Sequence, residues 1–516
     1  MSALFTVVRS HLGIVIADGT EADALQFIFR ATYLIYLHPL SKYPGPFLAK
    51  ITDGYGAYSA LRKRLHLDTH INVQKYGNVI RQGPNKLVFN SPRAAEDIYL
   101  SPRAAKSNAY DGAAMGNPQR NLINLQDREL HRRKRRIIGP VLGDRYLRGF
   151  EPIMSAHIDT FLRQILSSSE RNITVDISPA SQRLSADIIA SLAFGNTLNM
   201  QTTEKYYHLP KYSMTCPGGS ASLAFKNALV SLITTRMALG KDIRYDLYSA
   251  AKGADDAGVD GIIVDHDLWP EAALFVLAGG GPTSAALSAV FFYLSRNPQC
   301  YNKLAHEIRT SFASAGQIAP GSLLSRCTYL KACIDESMRM SPPSMSFPWR
   351  IQDPMDNSGQ PWIVDGHIIP RGTQVAVHVY PLFHDEEIFP DSFAFKPERW
   401  LDPAPGNTEN TMATRKLTRR AFAPFSSGDR ACPAKSLSLM ELNVTIARTL
   451  WYFDFEIAPG PEGELGGGTS GRTDGRGRPD EYQLDDIFYS AHRGPNLVFK
   501  EREGYAEYLR ATGVKE

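Results

Sequence analysis

The octapeptide Phe425-Ser-Ser-Gly428-Asp-Arg430-Ala-Cys432 constrains the fold of this chain more than any other part of its sequence. Gly428 permits a tight turn with positive φ, Arg430 offers paired donors to a carboxylate, and an apolar ring at position 425 can cover a sulfur atom. After Cys432, apolar residues recur at helical spacing, with a proline at the expected first helical position. The motif therefore predicts a shielded cysteine thiolate at the start of a helix, whose dipole stabilises the negative charge.

With Ala434 two residues further on, this motif resembles the cysteine signature of the cytochrome P450 family, Phe-x-x-Gly-x-Arg-x-Cys-x-Gly/Ala. The resemblance implies that Cys432 is the axial ligand of the iron of a haem b, and that Arg430 pairs with a haem propionate. It also implies that Phe425, Gly428 and Ala434 shape the loop that binds this cofactor. The alternative is a buried structural cysteine near a helix start, which is the usual environment of an isolated cysteine.

Length and composition agree with one large catalytic domain built around that cofactor. The chain has 516 residues, of which 43% are hydrophobic and 21% charged, and its formal net charge is only +4. We therefore expect no nucleic-acid partner. The five cysteines show no Cys-x-x-Cys spacing, which argues against a disulfide framework or a zinc site and favours a reducing, cytosol-facing environment.

Long helical patterns dominate the middle of the chain, and short strand patterns flank them. Helices are predicted over residues 153–166, 184–194, 268–295 and 298–312. Strands are predicted over residues 76–84, 86–90, 362–369 and 374–379, the last two completing the sheet late in the chain. The prediction is a mainly α fold with a minor β region, as in the cytochrome P450 fold.

The N-terminal segment, residues 1–37, has a different character from the rest. Its stretch from Leu25 to Leu37 is largely apolar but carries Arg30 and is shorter than the roughly 20 residues that span a membrane. The proline-rich residues 38–46 resemble the hinge between anchor and catalytic domain in fungal microsomal members of the family. We therefore expect residues 1–37 to associate loosely with the endoplasmic reticulum membrane, with the catalytic domain, residues 38–516, on its cytosolic face. A glycine-rich stretch at about 459–481 is predicted to be a surface insertion without chemistry.

Two separate motifs predict a buried network of charges. Glu336 and Arg339 are three residues apart and can pair on one helix face, although such pairs are common and weak on solvated helices. Downstream, Pro397-Glu-Arg399-Trp resembles the Pro-Glu-Arg-Phe-type motif of the family, whose arginine joins the earlier pair near the cysteine loop. The resemblance implies that Glu336, Arg339 and Arg399 lock this loop in a structural role.

The run His131-Arg-Arg-Lys-Arg135-Arg136 opens a predicted helix, hereafter the cation helix. Such a run is ordinarily a solvated face, and a nucleic-acid patch is the other alternative. Family members carry Trp or His and Arg at this spacing against a haem propionate, which implies that role for His131 and Arg135. Arg350 occupies the place of another propionate arginine. The remaining cations of the run are expected to face outwards or sideways; they are Arg132, Arg133, Lys134 and Arg136. We expect them to attract NADPH–cytochrome P450 reductase, with cytochrome b5 as a further candidate partner.

The segment from Ala278 to Ser284, Ala-Gly-Gly-Gly-Pro-Thr-Ser, departs from the family pattern. It aligns with the motif of the distal helix, Ala/Gly-Gly-x-Asp/Glu-Thr-Thr/Ser, but Gly281 replaces the acid and Pro282 the first threonine. The proline also frees a carbonyl of the preceding turn, which predicts a kink; the alternative is that one helix ends here and another begins. Thr283 remains a candidate proton relay, about 100° around the helix from the family position.

This departure leaves three reactions open. The first is monooxygenation, in which water, Thr283 or a substrate hydroxyl carries the protons. The second is oxidation without oxygen insertion, such as dehydrogenation, ring formation or coupling. The third is a peroxide-fed haem isomerase or lyase, against which the basic patch argues. A non-catalytic haem binder would leave the joint occurrence of all these motifs unexplained.

The resemblance to fungal members implies a small lipophilic substrate of secondary metabolism, dioxygen as co-substrate, and a monomeric enzyme. Candidates for contact with that substrate are Ala278, Gly279 and the loop from Ser344 to Phe347. The loop of residues 108–121 is a further candidate.

Overall fold

Helices form most of the chain that this computed structural model describes, namely residues 21–114, 120–204, 220–239, 246–249, 265–345, 348–402, 411–487 and 489–512. The α-helices of these residues are Glu21–Thr32, Phe47–Ile51, Gly54–Leu61, Leu65–Tyr76, Pro92–Tyr99, Arg128–Ile138, Asp144–Glu170, Ile177–Phe194, Ser220–Ala238, Asp265–Arg296, Pro298–Ser311, Ser322–Arg326, Thr328–Met340, Val379–Phe383, Met412–Ala421, Lys435–Tyr452 and Glu507–Thr512. A π-helical turn covers Tyr33–Leu37, and 3₁₀ turns cover Asn108–Ala114, Gly139–Leu142, Ala315–Gln317, Pro397–Trp400, Gly428–Arg430 and Gly460–Glu464.

The predicted long helices are confirmed; three of them extend beyond the sequence pattern, and the fourth, Pro298–Ser311, ends one residue before it. The distal helix runs without interruption over Asp265–Arg296. The helix expected from residue 153 begins at Asp144 and that expected from residue 184 begins at Ile177. In the second case the Asp176 side chain accepts the Ser178 N–H at 3.1 Å, an N-cap that apolar spacing alone does not reveal.

The strands form small sheets, the largest with five members. Its order is Val79–Gly83, Lys86–Phe89, Gln374–Val377, Arg350–Gln352 and Ala104–Lys106, and only the second and third pair in parallel. A three-stranded sheet joins Val175–Asp176, Asn496–Glu501 and Phe453–Ile457, and a two-stranded sheet joins Asp485–Asp486 to Ser490–Ala491. Trp362–Val364 and His367–Ile369 form a separate hairpin. Late completion of the sheet is thus confirmed for the strand at 374 and wrong for the residues at 362–369.

The core lies where the distal helix crosses the helix Ile177–Phe194 and the helix after Cys432. Phe291, Phe292 and Tyr293 of the distal helix are fully buried. The stretch Leu274–Arg296 is long and apolar enough to cross a membrane, but 72% of its most apolar window lies inside the protein, as expected of a core helix. The distal helix is thus a central element of the core, and the helix after Cys432 packs against it.

The glycine-rich stretch 459–481 lies against the rest of the protein. Arg64 Nη1 pairs with Asp474 Oδ2 at 3.2 Å, and Gly475 packs against Leu67 of the helix Leu65–Tyr76. Glu481, at its end, is buried and accepts a hydrogen bond from the Tyr380 hydroxyl. Polar contacts therefore hold a segment that lacks an apolar pattern of its own; its status as an insertion stays a prediction.

Candidate active site

The cysteine loop is a tight turn that depends on Gly428. This glycine has φ +76°, and a Cβ at its position would overlap the carbonyl oxygen of Tyr99. The Cys432 N–H donates to the Phe425 carbonyl oxygen at 2.9 Å and closes the loop. Arg430 donates through its two Nη atoms to the carbonyl oxygens of Leu125 at 3.0 Å and Gln126 at 3.1 Å. The signature residues therefore form one structural unit.

The helix after Cys432 begins later than predicted. It runs over Lys435–Tyr452, hereafter the cysteine helix, and Pro433 lies in the preceding turn instead of at the first helical position. Burial raises the pKa of the Cys432 thiol, whereas a hydrogen bond from the Ala434 backbone and the charges of Arg135 and Lys435 lower it. The thiol thus has one backbone donor and two cations nearby, but burial outweighs them and keeps its pKa above the usual value.

Cys432 opens into a cavity of about 370 Å³, which lies within the size range of small-molecule sites. Most of the exposed lining is apolar, with residues such as Leu122, Leu274 and Phe275. The cavity brings together many of the predicted site residues: Phe425, Arg430, Cys432, Ala434, Ala278, Gly279, Pro282, Thr283, Ser344 and Arg350. Other predicted residues are absent from the described lining: His131, Arg135, Gly281 and Gly428.

Cationic side chains converge on one side of this cavity. Arg350 Nη1 donates to the Tyr110 hydroxyl at 3.0 Å, and Arg135 Nη1 donates to the carbonyl oxygen of Ala431, next to the cysteine. Burial, with help from Arg430 and other nearby cations, lowers the pKa of His131 to about 2, so this imidazole is neutral and can act as a hydrogen-bond donor. The arrangement is suited to carboxylate groups of a ligand.

Sequence reasoning missed Lys106, which lines the same cavity. Its ammonium donates to the carbonyl oxygens of Leu122 at 3.2 Å and Ile123 at 2.6 Å, and it lies 4.9 Å from the ring centre of Tyr110. Burial and the neighbouring arginines hold the pKa of Lys106 well below its usual value. No motif in the sequence marks this lysine; the structure places it at the end of a short strand, Ala104–Lys106, which pairs with the strand of Arg350.

The cation helix, Arg128–Ile138, divides its charges between two environments. Arg132, Arg133 and Arg136 are exposed, as predicted for residues that face outwards. The prediction is wrong for Lys134, which is buried and forms an ion pair with Glu271 of the distal helix, Nζ to Oε1 3.0 Å. At period 3.6, position 134 follows His131 onto the inner face, so a basic run need not be solvated throughout.

The structure brings the three residues of the predicted charge network together. Glu336 is fully buried; it accepts from Arg339 Nε at 2.9 Å and from Arg399 Nε at 3.0 Å. The N–H of Lys396 and the indole Nε1 of Trp400 each donate to it at 3.0 Å. One carboxylate therefore joins the helix Thr328–Met340 to the turn Pro397–Trp400.

The distal helix passes the cavity with its unusual segment intact. Because it is continuous from residue 265 to 296, the alternative of two helices meeting at Pro282 is wrong. Thr283 is buried, and its Oγ1 lies 2.9 Å from Ser438 Oγ of the cysteine helix. Ser284 instead donates to the Gly281 carbonyl oxygen at 2.8 Å. Thr283 is thus the residue of this segment whose hydroxyl is at the cavity wall.

Packing explains the glycine at position 279. A Cβ there would lie 2.5 Å from Ile189 Cγ1 of the neighbouring helix Ile177–Phe194, whereas a Cβ at Gly280 would meet only ordinary contacts, 3.6 Å from Ala186. In the loop proposed to contact substrate, Ser344 lines the cavity and Met345 is buried, while residues 346–347 lie outside the described part of the chain. The loop at 108–121 supplies Tyr110, and its residues 115–119 also lie outside that part.

Comparison with known proteins agrees with this geometry. The family model for cytochrome P450 matches residues 54–216 and 220–465. The cytochrome P450 monooxygenase AKT7 of Alternaria alternata is 31% identical over 506 residues, covering 91% of this chain and 94% of that protein. The cytochrome P450 monooxygenase poxM of Penicillium oxalicum is 31% identical over 501 residues, covering 91% of each. The cytochrome P450 monooxygenase fscF of Fusarium equiseti is 31% identical over 530 residues, covering 94% of this chain and 96% of that protein.

Proposed function

Since this chain belongs to the cytochrome P450 family, we propose that it is a haem-thiolate monooxygenase of secondary metabolism that acts on a small lipophilic substrate. The observation that carries this proposal is the cavity itself, because an apolar lining, the Cys432 thiol and a row of cations meet there. An apolar wall suits a lipophilic substrate, and few polar groups are left to orient it. The relatives are fungal monooxygenases, which agrees with the resemblance to fungal members from which we infer secondary metabolism as the setting.

The residues present fit a haem. Cys432 would provide the thiolate ligand, and Arg350, Arg430 and Lys106, which line the cavity, would neutralise two propionates. Arg135, outside the described lining, donates to the Ala431 carbonyl beside the cysteine and would add positive charge from behind them. We infer haem b because the sequence contains no Cys-x-x-Cys-His motif for covalent attachment. When bound, a thiolate-ligated haem supplies the activation of dioxygen, because the ligand donates electron density that favours O–O cleavage.

The chain's own residues would exclude water, position the substrate and handle protons. Leu122, Leu274 and Phe275 make the cavity apolar, which limits the entry of water. The paired hydroxyls of Thr283 and Ser438, 2.9 Å apart, can hold and pass a proton at Oγ1 of Thr283, in place of the acid and threonine that the family motif contains.

The segment from Ala278 to Ser284 leads us to propose a second reaction, oxidation without oxygen insertion. Gly281 and Pro282 offer neither a carboxylate nor a hydroxyl, so proton delivery is weaker than in the family pattern. Both oxidations draw on this proton supply before hydrogen abstraction and differ only afterwards: in dehydrogenation, ring formation or coupling, the substrate loses a second hydrogen or forms a new bond, and the oxygen leaves as water. In this second proposal the product carries no oxygen atom from dioxygen.

Electrons would come from NADPH–cytochrome P450 reductase, with cytochrome b5 as a possible second donor. The exposed cations Arg132, Arg133 and Arg136 lie on the helix that also carries Arg135, so an acidic partner would dock close to the cysteine loop. Membrane association is supported by exposed apolar side chains of the first described helix and the turn after it, including Leu25, Phe29 and Leu37, which are 67%, 77% and 72% exposed. We place this enzyme at the endoplasmic reticulum, facing the cytosol.

The test combines purified holoprotein, reductase, NADPH and isotope-labelled dioxygen with an extract of candidate metabolites. Monooxygenation predicts NADPH consumption that depends on the metabolite, and label in the product. Consumption with an unlabelled oxidised product would support the second reaction instead. Full turnover without NADPH consumption would contradict both and would favour a peroxide-fed isomerase or lyase. The Arg132→Glu/Arg136→Glu variant is the matched control, since it should slow reduction by the reductase without changing the product.

A further inference from the structure

A buried ion pair joins the cation helix to the distal helix, and the functions assigned above do not use it. Lys134 Nζ lies 3.0 Å from Glu271 Oε1, and both side chains are only 3% exposed. Each partner also binds backbone. Lys134 Nζ donates to the Arg120 carbonyl oxygen at 2.9 Å, and Glu271 Oε2 accepts the Leu122 N–H at 3.1 Å. The pair therefore holds the start of residues 120–125, which we name the wall segment.

The wall segment has neither helix nor strand structure, and apart from one backbone bond, from the Leu125 N–H to the Asn121 carbonyl oxygen at 3.0 Å, the bonds described for its backbone come from side chains. Lys106 binds the carbonyl oxygens of Leu122 and Ile123, and Arg430 binds that of Leu125. Within the segment, Asn121 Oδ1 accepts the N–H groups of residue 123 at 3.0 Å and residue 124 at 3.1 Å. Side chains from the strand Ala104–Lys106, the cation helix, the distal helix and the cysteine loop thus fix one short piece of chain.

The wall segment reaches the cavity through two apolar side chains. Leu122 and Ile123 both line the cavity that contains Cys432, and neither belongs to a helix or strand that would set its position. Any ligand large enough to fill the cavity must contact this part of the lining. The position of the wall segment therefore determines how much room such a ligand has.

A contribution to folding stability does not by itself explain why this ion pair is present. Taking two charges out of water is costly, and apolar residues of similar size often stabilise a protein as well or better. The charged pair also orients the backbone, because the ion pair and two hydrogen bonds fix both the carbonyl of residue 120 and the N–H of residue 122. An apolar pair would pack equally well but would leave these backbone groups unfixed.

We propose that Lys134 and Glu271 are positioning residues that fix the wall segment and thereby set the size selectivity of the cavity. The proposal rests on the function proposed above, since it takes this cavity as the substrate site. Neither residue touches the substrate; both act through Leu122 and Ile123. The affinity for a small ligand that does not contact the wall segment should not depend on this ion pair, whereas the affinity for a bulky ligand should depend on it.

The experiment compares imidazole with 4-phenylimidazole as probes of the holoprotein, with dissociation constants taken from the spectral shift of the haem. In Lys134→Met the wall segment is loosened, so 4-phenylimidazole must order the side chains of Leu122 and Ile123 when it binds. Its affinity should therefore fall about tenfold. Binding of imidazole should stay unchanged. Lys134→Arg should keep most of the wild-type ratio, since it retains a charge and donors. Lys303→Met is the matched control, because Lys303 pairs with Glu398 at 2.9 Å on the surface.

Several outcomes separate the possibilities. If wild-type holoprotein gives no spectral shift with either probe, the proposed function fails before the inference is reached. If the probes bind and Lys134→Met keeps the wild-type ratio of affinities, the inference is overturned. A loss of affinity for both probes alike also overturns it, because a purely structural role predicts a general loss.

If Lys134→Met yields no holoprotein, the double variant Lys134→Met/Glu271→Met keeps the test decisive, since Glu271 is then not left buried without the Lys134 charge. It should bind imidazole normally and 4-phenylimidazole weakly. Amide hydrogen exchange at Leu122 provides a second readout that needs no ligand, because its N–H loses the Glu271 acceptor. Wild-type protection of this amide in the double variant would contradict the proposal.

Discussion

Replacing Glu336 by glutamine tests the physical basis of the charge network. The substitution preserves size and removes the charge, and it also puts an NH₂ group where two arginines and an indole already donate. Burial alone would raise the pKa of Glu336, but Arg339 and Arg399 outweigh it and lower the pKa. The native side chain is therefore a carboxylate, and glutamine leaves the fully buried Arg339 without a counter-charge.

The expected loss of unfolding free energy is about 3–5 kcal/mol, the usual cost of removing one partner from a buried ion pair. A matched control is Glu129→Gln, because Glu129 also has two arginine partners, Arg132 at 2.6 Å and Arg133 at 3.3 Å, but is about half exposed. Exposed pairs contribute about 0–1 kcal/mol. The two substitutions are chemically identical, so the difference between them isolates burial.

Urea unfolding of the holoproteins, followed in parallel by the Soret band and by tryptophan fluorescence, provides the measurement. Glu336→Gln should shift both transitions far below those of wild type, while Glu129→Gln stays close to wild type. Should the two variants unfold within about 1 kcal/mol of each other, the claim that this network is held by buried charge would be refuted.

Three further predictions concern the loop, the distal helix and acid stability. Gly428→Ala should bind less haem per mole of protein, because residue 428 has a positive φ and a Cβ there would overlap the Tyr99 carbonyl oxygen. Gly471→Ala is the control, since its φ is +85° in open space, and it should retain its haem. Equal haem content in the two variants would contradict this. Gly279→Ala should lower the unfolding free energy by about 1–3 kcal/mol through the clash with Ile189, while Gly280→Ala should not; equal urea midpoints would count against it. Burial lowers the pKa of His66, His70 (to about 4) and His384 in the folded protein. The unfolded chain therefore binds more protons below about pH 6.5, the usual pKa of histidine, and the unfolding free energy should fall there by about 1.4 kcal/mol per histidine and pH unit. Above that pH these histidines should cost no stability. Urea unfolding at about pH 7 and about pH 5 checks this, and an unchanged midpoint would contradict it.

The cysteine loop could be read from the sequence because its information is local, whereas the charge network was predicted through its resemblance to two family motifs. Eight consecutive residues define the loop around Gly428, and short spacings define the pair Glu336 and Arg339. The long helices were equally visible through their apolar period. Their starts were not, since caps such as Asp176 lie outside the periodic residues.

Other features depend on contacts between residues far apart in the chain. Lys134 and Glu271 are 137 residues apart, and nothing in a run of six basic residues shows that one of them meets a carboxylate inside the protein. Arg64 and Asp474, 410 residues apart, likewise hold a stretch that looked too polar to pack. Helix face and long-range pairing, which decide these cases, are set by tertiary packing.

The most direct test of the account is the reduced carbon-monoxide difference spectrum of wild type beside Cys432→Ser. The account predicts the Soret band of a thiolate-ligated haem in wild type, and in the serine variant its loss together with turnover. A serine variant that retains that band and wild-type turnover would show that the sulfur of Cys432 does not hold the iron.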